Sequence, residues 1–119
     1  MACKTILLVE DDADIRSTLK EVLELEGYQV VPAANGSEAL SQLQEMVPPC
    51  LILLDLMMPI MNGWEFLEAQ REDAKLAAIP VVVVSAAGDK AKSAKAHGFV
   101  KKPIEVDTLL RMIRTLCPE

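Results

Sequence analysis

The chain has 119 residues and a formal net charge of -6, and 51% of its residues are hydrophobic. This length suffices for a buried core, so we expect a single domain over residues 1–119. The negative charge disfavours nucleic acid and acidic membranes as partners, and one Trp, one Tyr and two Phe are too few to form a platform for stacking bases.

The first half of the sequence predicts three strands and two helices in alternation. An apolar run from Thr5 to Val9 precedes an amphipathic helix from Ala13 to Glu26, whose apolar side chains recur on one face. A second strand is expected from Gln29 to Ala33, and a second helix from Ser37 to Met46 ends before a Pro-Pro pair. The third strand, Cys50 to Leu54, has no charged residue, which is typical of strands buried on both faces.

The second half continues the same alternation. Asn62 is a good N-cap for a third helix, with Glu65 three residues later. The fourth strand is expected from Ile79 to Val84 and the fifth from Phe99 to Lys101, and the last helix begins near Glu105. Strands that alternate with helices over short connections predict an α/β fold, with a parallel sheet and helices on both of its faces.

Acidic side chains follow two of the buried strands. The first strand runs directly into Glu10, Asp11 and Asp12, and the third runs into Asp55. If these strands are parallel neighbours, the four acids meet at one edge of the sheet, where they repel one another unless a cation neutralises them. Carboxylates and main-chain carbonyls are suitable ligands for Mg²⁺. The sequence therefore predicts a magnesium site at the edge formed by the carboxyl ends of the strands.

The ends of the last two strands add other chemistry to the same edge. The fourth strand ends at Ser85, and the fifth ends at Lys101 and Lys102, just before Pro103. A lysine ammonium and a serine hydroxyl are suitable donors to the oxygens of a phosphoryl group. Ligands of such folds bind beyond the carboxyl ends of the strands. We therefore expect one crevice with acids, a hydroxyl and an ammonium group.

With these residues in this order, the chain resembles the receiver domains of two-component response regulators over essentially its whole length. The resemblance implies a doubly wound, flavodoxin-like sheet of five parallel strands in the order 2-1-3-4-5, and a cis peptide bond before Pro103. It is carried by five motifs: Leu8-Val9-Glu10-Asp11-Asp12, Leu53-Leu54-Asp55-Leu56-Met57-Met58-Pro59, Met61-Asn62-Gly63, Ser85-Ala86 and Lys102-Pro103-Ile104.

The resemblance implies a role for each acid. Asp55 would be the phospho-acceptor, a carboxylate nucleophile that forms an acyl phosphate. Asp11 and Asp55 would bind Mg²⁺ directly, with the main-chain carbonyl of Met57 as a third ligand, and Glu10 would bind it through a water. Two registers remain open for the acidic pair.

The position of an arginine bears on that register. Arg16 lies five residues past Asp11, which favours Glu10 and Asp11 as the family's acidic pair. Asp12 is then an extra acid, or the N-cap of the first helix. In the rival register, Asp11 and Asp12 form the pair.

The remaining site residues receive their roles from the same resemblance. Lys102 would stabilise the phosphoryl oxygens during transfer, and Ser85 would donate a hydrogen bond to the phosphoryl group once it is attached. Phe99 matches the family's aromatic switch position, and because it has no hydroxyl its coupling would depend on packing alone. The donor would be a phosphohistidine on a histidine kinase or phosphotransfer protein, or a small molecule such as acetyl phosphate.

The chain departs from the family between its fourth and fifth strands. The segment 86–98 is short and has no apolar residue larger than Ala, so we expect the family's fourth helix to be short or irregular. In the family, the fourth helix, fifth strand and fifth helix form the signalling face, through which a downstream protein would bind. This face carries five lysines, which either form a dock for an acidic partner or are a solvated charge run: Lys90, Lys92, Lys95, Lys101 and Lys102.

The cysteines and the termini bear on location. Cys3, Cys50 and Cys117 are far apart and form no Cys-x-x-Cys pair, so we expect reduced thiols in place of a disulfide or metal site. A strand that begins near residue 5 leaves no room for a signal peptide, and no apolar stretch has membrane-spanning length. The expected location is the cytoplasm.

Three functions compete. The first is a phosphorylatable response regulator that signals by protein contact; Met1 and an end just after the last helix agree with a free-standing domain. The second is a receiver-like interaction module that no longer switches, which the short 86–98 segment favours. The third is a Mg²⁺-dependent phosphohydrolase, which would need an acid where the chain has Met57. We therefore expect a phospho-acceptor that assists its own reactions and is not a dedicated enzyme.

Overall fold

The computed structural model describes residues 4–86 and 96–117. The strands are β1 (Thr5–Val9), β2 (Gln29–Ala33), β3 (Leu51–Asp55), β4 (Val81–Ser85) and β5 (Gly98–Lys101). The helices described are α1 (Ala13–Leu25), α2 (Gly36–Glu45), α3 (Gly63–Glu72) and α4 (Val106–Leu116), the last of which is the family's fifth helix.

The five strands form one parallel sheet in the order β2-β1-β3-β4-β5, which confirms the predicted fold and strand order. The predicted bounds of β1 and β2 are those observed, and the other predicted boundaries differ by at most two residues. The largest part of the segment in which a short or irregular helix was expected, residues 87–95, lies outside the described residues.

The sheet separates two layers of core side chains. Successive residues of a strand face opposite sides of a sheet, so each apolar strand contributes to both layers. One layer packs against α2 and α3, the other against α1 and α4, which places helices on both faces as predicted. The first layer includes Leu7, Val9, Ile52, Leu54, Val81, Val83, Ala39, Leu43, Phe66 and Leu67. The second includes Ile6, Leu8, Leu51, Leu53, Val82, Val84, Leu19, Leu23, Leu109 and Ile113.

Gly63 allows the start of α3 to lie against the end of β3. Its N–H donates to the carbonyl of Leu56 over 2.9 Å. A Cβ atom at this position would lie 2.7 Å from the Cα of Leu56 and 2.8 Å from the carbonyl oxygen of Asp55, both of them main-chain atoms. This close approach fixes the loop that leaves β3 beside Asp55.

We expect Gly63→Ala to lower the free energy of unfolding by about 1–3 kcal/mol, because main-chain atoms would have to move. Gly36→Ala is the matched control: Gly36 is the first residue of α2, and a Cβ there would lie 2.8 Å from the side chain of Met61 and 3.0 Å from its carbonyl oxygen, the nearest main-chain atom. That flexible side chain can move aside, so we expect a smaller loss. Urea unfolding measures both, and equal losses would contradict the close-approach argument.

A disulfide joins Cys50 to Cys117, with their Cα atoms 5.7 Å apart. The expectation of reduced thiols is therefore wrong for these two residues, and Cys3 lies outside the described residues. Cys50 directly precedes β3, and its N–H donates to the carbonyl of Thr5 over 2.8 Å. Cys117 is the C-cap of α4 and is buried. The two cysteines are 67 residues apart in sequence and meet only because β3 begins where α4 ends.

Among the described residues, none of the helices combines the length and the apolar character that crossing a membrane requires.

Candidate functional site

The acid cluster, which we define as Glu10, Asp11 and Asp55, lies at the carboxyl edge of the sheet. Val9 pairs with Leu54 in the register of β1 and β3, so the two chains reach this edge side by side. Oxygen atoms of the three carboxylates all lie within 4.8 Å of one another. Glu10 and Asp55 are 1% and 4% exposed, whereas Asp11 is exposed to solvent. The structure thus brings together the acids of the first of the two open registers.

Asp12 is turned away from this cluster and caps α1. Its Oδ1 accepts hydrogen bonds from the N–H groups of Asp14, at 2.9 Å, and Ile15, at 3.1 Å. These bonds satisfy two amides at the helix start that have no partner within the helix. The N–H of Asp12 donates to Oε2 of Glu10 over 3.2 Å, so the cap also holds the buried carboxylate.

Lys102 lies between the two buried acids. Its Nζ is 2.8 Å from Oε1 of Glu10 and 3.5 Å from Oδ2 of Asp55. The peptide bond that follows it is cis, as expected, and the N–H of Lys102 donates to the carbonyl of Ser85 over 3.0 Å. Lys101, the last residue of β5, is exposed. The shorter contact of Lys102 is thus with Glu10, a pairing that the sequence analysis did not anticipate.

The charges at the site shift two ionisation equilibria. The pKa of Asp55 is raised from 3.8 to about 7, chiefly by burial and then by the hydrogen bond and the charge of the neighbouring Glu10. Lys102 and the N–H of Met57, which is 3.3 Å from Oδ1 of Asp55, oppose this shift. Burial alone would lower the pKa of Lys102, but its contacts with Glu10 and Asp55 outweigh burial and raise the pKa of Lys102. The lysine therefore stays protonated, and it does not fully offset the negative charge around Asp55.

The donor set suits Mg²⁺. Three carboxylates with oxygens within 4.8 Å of one another offer only oxygen ligands, which is the preference of Mg²⁺ and Mn²⁺. A divalent cation would also relieve the like-charge repulsion that contributes to the raised pKa of Asp55. The main chain of Met57 lies at this site, because its N–H contacts Asp55, although the residue as a whole is 60% exposed.

Ser85 and Phe99 lie on the two neighbouring strands. Asp55 pairs with Val84 in the register of β3 and β4, so Ser85 is one residue farther towards the carboxyl edge, and it is fully buried. Phe99 lies in β5, is half-buried and packs against the core layer of α2 and α3. The structure therefore places Ser85 at the acid cluster and Phe99 farther back along the sheet.

Sequence reasoning used Arg16 only as a marker of register and missed its contacts. Arg16 Nη1 donates to the carbonyl of Glu10 over 2.7 Å and lies 3.4 Å from the carbonyl oxygen of Asp11. A cation within the first turns of a helix is unfavourable with respect to the helix dipole. An arginine so near the start of a predicted helix was therefore the feature of the sequence that could have indicated this contact.

Comparison with known proteins agrees with this geometry. The model of the response regulator receiver domain family matches residues 6–114. Response regulator Rre1 of Synechocystis is 35% identical over 118 residues, 94% of this chain and 51% of that protein. Protein PilH of Pseudomonas aeruginosa is 31% identical over 116 residues, 93% of this chain and 95% of that protein.

A solved structure extends the likeness to the fold. The chemotaxis protein CheY4 of Vibrio cholerae superimposes with a TM-score of 0.87 at 31% identity, covering 97% of this chain and 99% of that chain. This chain spans about half the length of Rre1 and nearly all of PilH. The family model matches well over half of the chain, from residue 6 to residue 114. The chain belongs to the response regulator receiver domain family.

Proposed function

We propose that the chain accepts a phosphoryl group on Asp55 from a phosphohistidine of a histidine kinase or phosphotransfer protein, and transmits the signal by protein contact. The observation that carries the proposal is the position of Asp55, buried at the carboxyl edge of the sheet beside the other two acids and 3.5 Å from Lys102. The reaction belongs in the cytoplasm, where kinases that use ATP form phosphohistidine.

Asp55 is the nucleophile of this reaction. One of its carboxylate oxygens attacks phosphorus in line with the P–N bond of the donor. An O–P bond forms, the P–N bond breaks, and the imidazole nitrogen takes the electron pair and a proton. The attacking form is the carboxylate, so the raised pKa of about 7 limits the reactive fraction at neutral pH in the metal-free protein. Mg²⁺ held by Asp11, Asp55 and the Met57 carbonyl, and by Glu10 through water, would neutralise charge on the carboxylate and the phosphoryl oxygens.

Lys102 and Ser85 stabilise the transferred group. The protonated amine of Lys102 already lies 3.5 Å from Asp55, so it can donate to the phosphoryl oxygens where they arrive. To do so it gives up part of its 2.8 Å contact with Glu10. The hydroxyl of Ser85 donates from the neighbouring strand, and Phe99 repacks in response. Hydrolysis of the acyl phosphate then resets the site.

The same geometry supports a phospho-acceptor over a dedicated phosphohydrolase. A phosphohydrolase with an aspartate nucleophile needs a general acid two residues after it, and this position is Met57. Its thioether carries no proton to donate. The chain thus assists its own phosphorylation and dephosphorylation, and the downstream partner binds on the face that includes β5 and α4.

Intact mass after incubation with acetyl phosphate and Mg²⁺ tests the proposal. We expect the wild-type chain to gain the mass of one phosphoryl group, and Asp55→Asn to gain none. Asp107→Asn is the matched control, because Asp107 is an exposed aspartate in the first turn of α4. Equal labelling of the wild type and Asp55→Asn would refute the role of Asp55.

Beryllofluoride with Mg²⁺ separates switching from mere modification. If the chain switches, the amide resonances of Ser85 and Phe99 shift when this phosphoryl mimic binds. If the chain is phosphorylated but these amide resonances do not shift, it is instead a receiver-like interaction module, the second function that the sequence allowed.

A further inference from the structure

We infer that Arg16 is a positioning residue, which holds the main chain of Glu10 and Asp11 so that their carboxylates meet that of Asp55. The inference rests on the proposed function, in which this cluster binds Mg²⁺, and names a residue outside the ligand set on which that binding depends. Arg16 acts through the main chain of its two neighbours and has no contact with the phosphoryl group in this account.

The contacts of Arg16 link the first helix back to the strand before it. Arg16 is the fourth residue of α1, and its guanidinium reaches back to the segment that leaves β1. The 2.7 Å bond from Nη1 to the carbonyl of Glu10 is short for an N–H···O bond, as is usual when the donor is charged. The carbonyl oxygen of Asp11 lies 3.4 Å from the same nitrogen.

The segment needs this donor because it has left the sheet. β1 ends at Val9, and the N–H of Glu10 makes one more sheet-like bond, to the carbonyl of Ala33 over 3.0 Å. The carbonyl of Glu10 follows this last bond of the ladder and accepts from Arg16. A main-chain carbonyl left without a partner in a buried position is unfavourable. Loss of the guanidinium would therefore favour rotation of the Glu10–Asp11 peptide group.

Rotation of the Glu10–Asp11 peptide would move both carboxylates at once. Glu10 and Asp11 supply two of the three members of the acid cluster, whose oxygens lie within 4.8 Å of one another. Asp12 restrains the segment from its other side through its bonds to the start of α1. Arg16 and the Asp12 cap therefore hold the turn between β1 and α1 at two points.

The choice of Arg at this position opposes the local preference of the helix. The first turn of α1 contains Asp14, which is favourable at a helix start, whereas the cationic Arg16 is not. A residue that breaks a local rule is expected where function requires it. Its planar guanidinium has several donors in a fixed arrangement, so Lys can replace only part of its bonding.

Mg²⁺ affinity, measured by isothermal titration calorimetry, tests the inference in the full chain. We expect Arg16→Gln to weaken Mg²⁺ binding about tenfold, as loss of a group that orients metal ligands does, with Arg16→Lys in between. Arg71→Gln is the matched control. Arg71 lies in the last turn of α3 and donates to the carbonyl of Leu67 within the same helix. Its Mg²⁺ affinity should equal that of the wild type.

Urea unfolding in EDTA, run on the same four proteins, separates positioning from stability. If Arg16→Gln loses stability but the folded variant binds Mg²⁺ as tightly as the wild type, the residue is only structural and the inference is overturned. If Arg16→Gln does not fold, the Lys variant decides, since wild-type affinity there would also overturn the inference. A wild type that does not bind Mg²⁺ would instead refute the proposed function.

Discussion

Asp55→Asn should raise the free energy of unfolding of the metal-free protein by about 2–4 kcal/mol at pH 8, the value that corresponds to a carboxyl pKa raised by about three units. The physical reason is that Asp55 is held at low exposure beside Glu10, and its pKa rises from 3.8 to about 7. An amide of nearly the same shape removes one negative charge from this site. Loss of the contact with Lys102 offsets part of the gain.

The effect depends on pH with a definite sign. Between pH 4 and pH 7 the unfolded chain has released the proton of Asp55 while the folded chain still holds it, because its folded pKa is about 7. Fewer protons bound in the unfolded state mean that wild-type stability falls as pH rises through this window. The advantage of Asp55→Asn should therefore be small near pH 4, grow towards pH 7 and stay constant above it.

Urea unfolding in EDTA at several pH values measures this difference. Asp107→Asn serves as the control, because it removes an exposed aspartate from α4 and leaves the acid cluster unchanged. Addition of Mg²⁺ should stabilise the wild type more than Asp55→Asn, because a ligand stabilises the folded state that binds it more tightly. The difference in free energy of unfolding between the two proteins should therefore become smaller. An Asp55→Asn variant no more stable than the wild type at pH 8 would contradict the account of charge repulsion at the site.

Reduction of the disulfide should lower the free energy of unfolding by about 2–4 kcal/mol, the usual contribution of a disulfide that closes a long loop. The bond joins residues 67 apart in sequence, so it removes much of the freedom of the unfolded chain. The loss of local stability should be greatest in α4, because its N-cap residue Glu105 makes no side-chain capping bond. The disulfide at Cys117 is the covalent attachment of the opposite end of this helix.

Unfolding with and without a dithiol reductant, with thiols counted by Ellman's reagent, checks this expectation. A Cys50→Ser/Cys117→Ser variant should match the reduced wild type and should not respond to the reductant. Cys3→Ser is the second control, and it should respond as the wild type does. If the urea midpoint of the wild type is the same in both conditions, the disulfide does not contribute to stability. Thiol counting in cell extracts would then show which form the cell maintains.

The order of elements and the meeting of the acids could be predicted from the sequence. Apolar runs without alternation marked the strands, and parallel strands must end at one edge, so Asp11 and Asp55 had to approach each other once β1 and β3 were neighbours. The role of Asp12 stayed open because an acid at that position serves equally well as a ligand or as a helix cap. Only the direction of its side chain decides, and sequence does not contain it.

Contacts between distant side chains could not be predicted. Lys102 was expected to face a phosphoryl group, yet its shortest contact is with Glu10, 92 residues away in sequence. Either acid can accept from the amine, and its distances to them, 2.8 Å to Glu10 and 3.5 Å to Asp55, differ by less than the sequence can resolve. The pairing of Cys50 with Cys117 has the same origin, because cysteine spacing does not encode which ends of the sheet and helices coincide.

The strand that carries the acceptor also carries the covalent attachment of the last helix. β3 is only five residues long, ends at Asp55 and is preceded directly by Cys50, whose sulfur is bonded to the C-cap of α4. Any displacement of this strand along its axis therefore reaches the far end of α4 through covalent bonds alone. In a chain without that crosslink, the same movement would have to be transmitted by packing contacts, which are weaker than covalent bonds and rearrange more easily.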